Sequence, residues 1–179
     1  MKRLQRDTIV LALCDEMKTK GSWCGETHLQ KAVYFLQELA GVPTGFEFVL
    51  YKHGMFSFDL REELAAMRAD RLLQLKARRV PYSPSIVTTP SGQRTQKRFP
   101  KTLSKYRSHI RFIAEYLADK GVADLERLST ALYVTKLNGA EPTAEERAEQ
   151  IHSLKQHVTV GEARRAVETV DQMINRFGR

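Results

Sequence analysis

Apolar residues recur at helical spacing from the start of the chain. Val10, Leu13, Cys14 and Met17 share one face between about Asp7 and Lys20, and Gly21 supplies a stop. Trp23 then sits in a loop between Gly21 and Gly25. Thr27-x-x-Gln30 has the form of a capping box, and Leu29, Ala32, Val33, Leu36 and Leu39 continue as one stripe, which predicts a second helix ending near Gly41. Phe46, Phe48 and Leu50 alternate with Glu47, Val49 and Tyr51, as a half-buried strand would. With Ser57 or Asp59 as N-cap, Leu60, Leu64 and Met67 predict a third helix over roughly Phe58 to Asp70.

The period then shortens to two. Leu73, Leu75 and Ala77 alternate with Gln74, Lys76 and Arg78, and Ser85 to Thr89 offers a partner strand across Pro81-Tyr82-Ser83-Pro84. These segments predict a β-hairpin, with Pro90-Ser91-Gly92 as the turn that closes it. Beyond about Lys101 the pattern is helical throughout. Tyr106, Ile110, Ile113 and Leu117 form the first stripe, and Leu125, Leu128 and Leu132 the second. Asn138-Gly139 predicts a break, and the capping boxes Thr143-x-x-Glu146 and Thr159-x-x-Glu162 open two more helices. The fold expected is mainly α, of the α+β class. A winged-helix-like part over residues 1–100, with a small antiparallel β-hairpin, packs on a bundle of about four helices over residues 101–179. The C-terminal stripes need a surface to cover, and the first two helices are the nearest, so the whole is expected to be a single domain.

Composition changes this picture little. At 179 residues, 42% hydrophobic and 28% charged, the chain has the make-up of a globular domain able to bury a core. The apolar run from Ile9 to Cys14 is too short for a signal peptide and no stretch approaches a membrane span, which together predict a cytoplasmic protein. Cys14 and Cys24 lack CxxC spacing and read as reduced thiols.

The distribution of charge matters more. The net charge is +8, yet the segment from Arg68 to Arg111 carries twelve basic residues against one acid, Asp70, so the remainder of the chain is slightly acidic. A basic segment this concentrated is the footprint of a polyanionic partner or of an acidic protein surface; a solvated charged hairpin is the other reading. The candidate nucleic-acid contacts are Lys76, Arg78, Arg79, Arg94, Lys97 and Arg98. A winged helix would place the third helix in the major groove, but Asp59, Glu62, Glu63 and Asp70 outnumber Arg61 and Arg68 there. The hairpin and the helix after it should therefore dominate any DNA contact.

Catalytic chemistry finds no support. There is no GxSxG, no cysteine in a family-like catalytic context, and no glycine-rich phosphate cradle, so the protein is expected not to be an enzyme and to use no cofactor. His152 and His157 lie five residues apart, about 140° around a helix, and Cys24 with His28 makes only two ligands, so no metal is expected. His53-Gly54 pairs a titratable ring with a residue free to take positive φ, which reads either as a binding feature or as a tight turn in which His53 caps or packs. Tyr34, Phe35, Phe56 and Phe58 read as core aromatics or as the lining of a partner groove.

At Leu29-Gln30-Lys31-Ala32-Val33-Tyr34-Phe35-Leu36-Gln37, and again from Tyr51-Lys52-His53-Gly54-Met55-Phe56 to Leu60, the chain resembles the SocA-like antitoxin family, or Panacea domain, and its YwgA-type relatives. Met55 stands where the family usually has proline. The resemblance covers about residues 5 to 75. It implies a bacterial or phage protein, mostly helical and without enzymatic activity, that works by binding a protein partner such as a toxin. On that reading His53, Gly54, Met55, Phe56 and Phe58 are the candidate partner contacts. The alternative is a winged-helix-like nucleic-acid binder, as in a transcriptional regulator or defence-locus component, using the basic 76–111 segment.

Overall fold

The computed structural model describes residues 1–138 and 142–178. Eight helices and two small antiparallel hairpins run through them in the order α1 (Arg3–Thr19), α2 (Glu26–Glu38), β1 (Val49–Tyr51), β2 (Gly54–Phe56), α3 (Phe58–Ala69), β3 (Leu73–Lys76), β4 (Ser85–Thr88), α4 (Pro90–Arg98), α5 (Pro100–Leu117), α6 (Val122–Asn138), α7 (Ala144–Leu154) and α8 (Val160–Phe177). The protein is mainly helical. No helix among the described residues is long and apolar enough to cross a membrane. Gly139, half of the expected Asn138-Gly139 break, lies outside the described residues.

The contacts gather these elements into two compact units, one of residues 1–48 and 57–120, the other of residues 49–56 and 121–179. In the first, α1 is the central element and packs against α2, α4, α5 and β4, while α3 packs against α2 and β3. Ile9, Leu11, Leu13, Met17, Leu29, Phe35, Leu36, Met67 and Ile113 are among its fully buried side chains. Burying α1 on several sides explains why its apolar positions exceed a single stripe. In the second unit α6, α7 and α8 pack on one another, and β2 lies against α6. The helices that follow residue 100 therefore divide three and one, since α5 joins the first unit through α1 and α2.

Several local expectations change, each for a visible reason. The strand expected over 46–51 is shorter, and it pairs with a second one: Val49 faces Phe56 and Tyr51 faces Gly54. The 73–76 and 85–88 strands do pair, Leu73 with Thr88 and Lys76 with Ser85. Pro90-Ser91-Gly92, however, is not a turn closing that hairpin but the first turn of α4. Thr89 is its N-cap, with Oγ1 accepting from Gly92 N at 3.1 Å, and proline occupies the position where its missing N–H costs nothing. A Cβ on Gly92 would lie 2.4 Å from the Leu72 carbonyl oxygen, so only glycine lets α4 start this close to β3.

The second helix is capped by Gly25, not by Thr27. Gln30, expected to complete a capping box, is buried instead, and its amide donates to Ser57 O while its carbonyl accepts from Ser57 N, both at 2.9 Å. Two bonds to one backbone residue satisfy a buried amide better than a cap at the surface. They also fix Ser57, whose Oγ accepts from Leu60 N at 3.1 Å and caps α3 as expected. Both C-terminal capping boxes are formed, Thr143 with Glu146 and Thr159 with Glu162. The backbone N–H of each threonine, then its hydroxyl, holds the corresponding glutamate below the ordinary carboxylate range.

Candidate nucleic-acid interface

Beyond Arg71 the basic segment is carried by β3, the 77–84 loop, α4 and α5, all in the first unit. Lys76 ends β3; Arg78 and Arg79 stand in the 77–84 loop; Arg94, Lys97 and Arg98 lie on α4. Lys101, Lys105, Arg107 and Arg111 follow on α5, all exposed. Apart from Arg78, which is half-buried, the six predicted contacts are exposed. Among the described residues, no carboxylate lies within 4.0 Å of the cationic groups of any of these six. Tyr106, Ile110, Ile113 and Leu117 turn the apolar face of α5 inward, which leaves its cations on the outside. Between α1, α4 and α5 a cavity of about 470 Å³ is lined by Asp15, Gln96, Lys97, Leu103 and Arg107 among others. Gln96 donates to Asp15 Oδ2 at 2.7 Å, so the acid on this wall is engaged by an amide.

The cations of α1 behave differently. Arg3 donates to Glu63 at 2.8 Å and to Asp70 at 3.0 Å, and Arg6 donates to the other oxygen of Glu63. Two of the four acidic side chains that argued against α3 as a recognition helix are thus committed to α1, leaving Asp59 and Glu62 facing outward with Arg61 and Arg68. Arg6 also stacks on Phe46, 4.6 Å from the ring centroid. Beneath this network Asp7 is fully buried and neither carboxylate oxygen has a hydrogen-bond partner. Burial, reinforced by Glu63, pushes its carboxyl up to about 6, against the pull of Arg3 and Arg6.

One of the six predicted contacts is held in an unforeseen way. The Arg78 guanidinium lies 4.5 Å from the Trp23 ring centroid and 4.8 Å from that of Tyr82. Trp23 meets His28 edge-on at 4.6 Å, and His28 Nε2 is 3.1 Å from the Lys120 carbonyl oxygen. Burial lowers the affinity of His28 for a proton. No periodicity links Trp23 to Tyr82; the only signal in the sequence was the aromatic and basic composition of the two loops. Nearby, the Cys14 and Cys24 thiols are free and buried with their sulfurs 3.5 Å apart. Ile86 N donates to Cys24 O at 2.8 Å, and Cys14 Sγ donates to Ile86 O at 3.4 Å. The hydrogen bond to Cys24, then burial, raises the Cys14 pKa far above the ordinary thiol range.

The five candidate partner contacts do not share one compact unit: His53, Gly54, Met55 and Phe56 belong to the second and Phe58 to the first. Gly54 has φ of +81°, and a Cβ there would lie 2.4 Å from Ser129 Oγ and 3.1 Å from the Glu126 carbonyl oxygen. Met55 is 2% exposed and its N–H donates to Ser129 Oγ at 3.3 Å. Phe56 leans on Tyr51 with centroids 5.7 Å apart, and Phe58 is exposed at the start of α3. His53 is exposed too, its Nδ1 3.7 Å from Glu126 Oε2. Glu126 is buried and also meets Lys155 at 3.4 Å and His157 at 3.2 Å. The Lys155 ammonium donates to Tyr51 O and Lys52 O, which ties down the hairpin turn. Among the described residues no group of three or more His, Cys, Asp or Glu is arranged to hold a metal ion, and the Glu126 cluster contains the Lys155 ammonium.

No protein-family model matches the chain, and no curated protein matches it.

Proposed function

We propose that this protein acts by binding, without bond-making chemistry, and that its first unit engages the backbone of a nucleic acid through the β3–β4 loop, α4 and α5. One observation carries the reading: among the described residues, every cation of the predicted set lacks a carboxylate within 4.0 Å, whereas Arg3 and Arg6 in the same unit are paired. Leaving a row of cations unpaired at a surface raises the local potential and favours a polyanion, which releases counterions on binding. The order α1, α2, α3, β3, β4 supports a winged-helix-like arrangement with the 77–84 loop as wing. Because Glu63 and Asp70 are engaged by α1, the net charge that α3 presents is closer to neutral than its composition suggests. The main grip still belongs to the wing and α4, with phosphate contacts outweighing base readout.

The test is a titration of generic duplex DNA at several salt concentrations. The wild type should lose affinity steeply with salt, with a slope of about −0.9 per phosphate neutralised. Charge reversal at Arg79, Arg94, Lys97 and Arg98 should weaken binding more than tenfold and flatten the slope, and unchanged binding would refute the reading. The resemblance to SocA-like antitoxins supports a second reading, a protein partner such as a toxin. The exposed Phe58 ring, at the end of the segment that carries the resemblance, favours it. Co-purification of a stoichiometric protein that Phe58→Ala releases would establish that reading.

A further inference from the structure

The 77–84 loop carries an assembly that phosphate contacts alone leave without a purpose. Trp23, the single tryptophan of the chain, comes from the loop before α2, and Tyr82 from the wing; the Arg78 guanidinium touches both rings. Behind Trp23 stands His28, which is buried and bonded to the Lys120 carbonyl. The backbone bond from Ile86 N to Cys24 O ties the strand after the wing to the residue next to Trp23. The series His28, Trp23, Arg78, Tyr82 therefore runs from a buried, anchored end to an outer ring that is still 62% exposed. Val80 beside it is 87% exposed, and Lys76 and Arg79 flank it with no carboxylate within 4.0 Å among the described residues.

The Arg78 guanidinium meets both rings, so whatever its in-plane N–H groups bind, it also braces Tyr82 against Trp23. A braced tyrosine ring with a cationic rim suits a partner that brings both a flat π face and negative charge. Nucleobases in a single strand offer that face, while those in a duplex are already stacked on each other. An acidic peptide would satisfy the rim and leave the ring unused. We infer that Tyr82, supported by Arg78 and Trp23, is a stacking platform for an unpaired base of single-stranded nucleic acid, with Lys76 and Arg79 on the neighbouring phosphates. This rests on the nucleic-acid reading above and adds to it a preference for single strands.

The experiment is fluorescence anisotropy of the full chain with a labelled 20-nucleotide oligothymidine and, separately, a duplex of the same length at the same salt. Wild type should bind the single strand more tightly. Tyr82→Ala should weaken oligothymidine binding about 5- to 150-fold, the range for one lost stacked base, and change duplex binding by less than about twofold. Its salt slope should match wild type, because no charge is removed. Tyr82→Phe keeps the ring and should restore binding. Wild-type affinity of Tyr82→Ala for oligothymidine, or an equal loss on both probes, overturns the platform and leaves the phosphate reading standing. If the variant with charge reversals at Arg79, Arg94, Lys97 and Arg98 also binds both probes as wild type does, the underlying reading fails; if wild type binds neither probe, both fall.

Discussion

The two hairpins are near equals in size, with three and four paired residues per strand, yet their turns have opposite fates. The β1–β2 turn is spent on its own unit. Gly54 is pressed against Ser129, Met55 is buried, and Lys155 bonds the Tyr51 and Lys52 carbonyls. The β3–β4 connection runs to eight residues where two could join the strands, and it is exposed along almost all of its length and cationic. A turn whose backbone is held from inside offers a partner little beyond the exposed side chains of Lys52 and His53. A turn that displays Arg79, Val80 and Tyr82 to water costs solvation and order without adding to the core, which is the usual position of a binding loop.

That contrast can be broken first at its structural end. Gly54→Val forces a β-branched residue into positive φ and into Ser129 and Glu126, and should cost about 3 kcal/mol in urea unfolding. A loss under about 1 kcal/mol would mean that the turn is not packed as described. A buried charge gives the next largest effect. Asp7 has a folded-state pKa of about 6 against an ordinary value of 3.8, so the folded protein holds the proton more tightly than the unfolded chain. Its contribution to stability is full below about pH 3.8, is lost as pH rises through about 6, and is constant above that. Asp7→Asn should therefore be more stable than wild type above pH 6, by at most on the order of 3 kcal/mol, and the gain should vanish towards pH 4. Thermal melts across that range would refute it if the two proteins ran in parallel.

Smaller effects sharpen the comparison. Thr159→Ala removes the hydroxyl that caps α8 and should cost about 1 kcal/mol. Val80→Ser, at the tip of the exposed loop, should change stability by less than about 0.5 kcal/mol in the same assay. A large loss there would show that the second hairpin is structural like the first.

Much of the helical frame was legible because each helix obeys a local rule. Apolar spacing located α3 and α5, and the capping boxes at Thr143 and Thr159 located α7 and α8. The failures lie where a distant group outbids a local one. Gln30 left its cap for the Ser57 backbone, and Pro90-Ser91-Gly92 opened a helix because Thr89 stands before it. The β1–β2 hairpin was half seen, since Phe46 and Phe48 extended the alternation beyond the paired residues and β2 is only three residues long. For the proposed interface, charge counting locates the cations but not the groups that each of them meets. Arg78 reads the same as Arg79 in the chain, and only the fold places Trp23 and Tyr82 around one of them.

The most direct measurement is amide hydrogen exchange of the full protein with and without a saturating 20-nucleotide strand. Protection should rise over residues 76–84 and 91–98 and stay unchanged over residues 51–56. Protection confined to the 51–56 turn, or spread over neither basic segment, would contradict the assignment of the exposed hairpin as the binding arm.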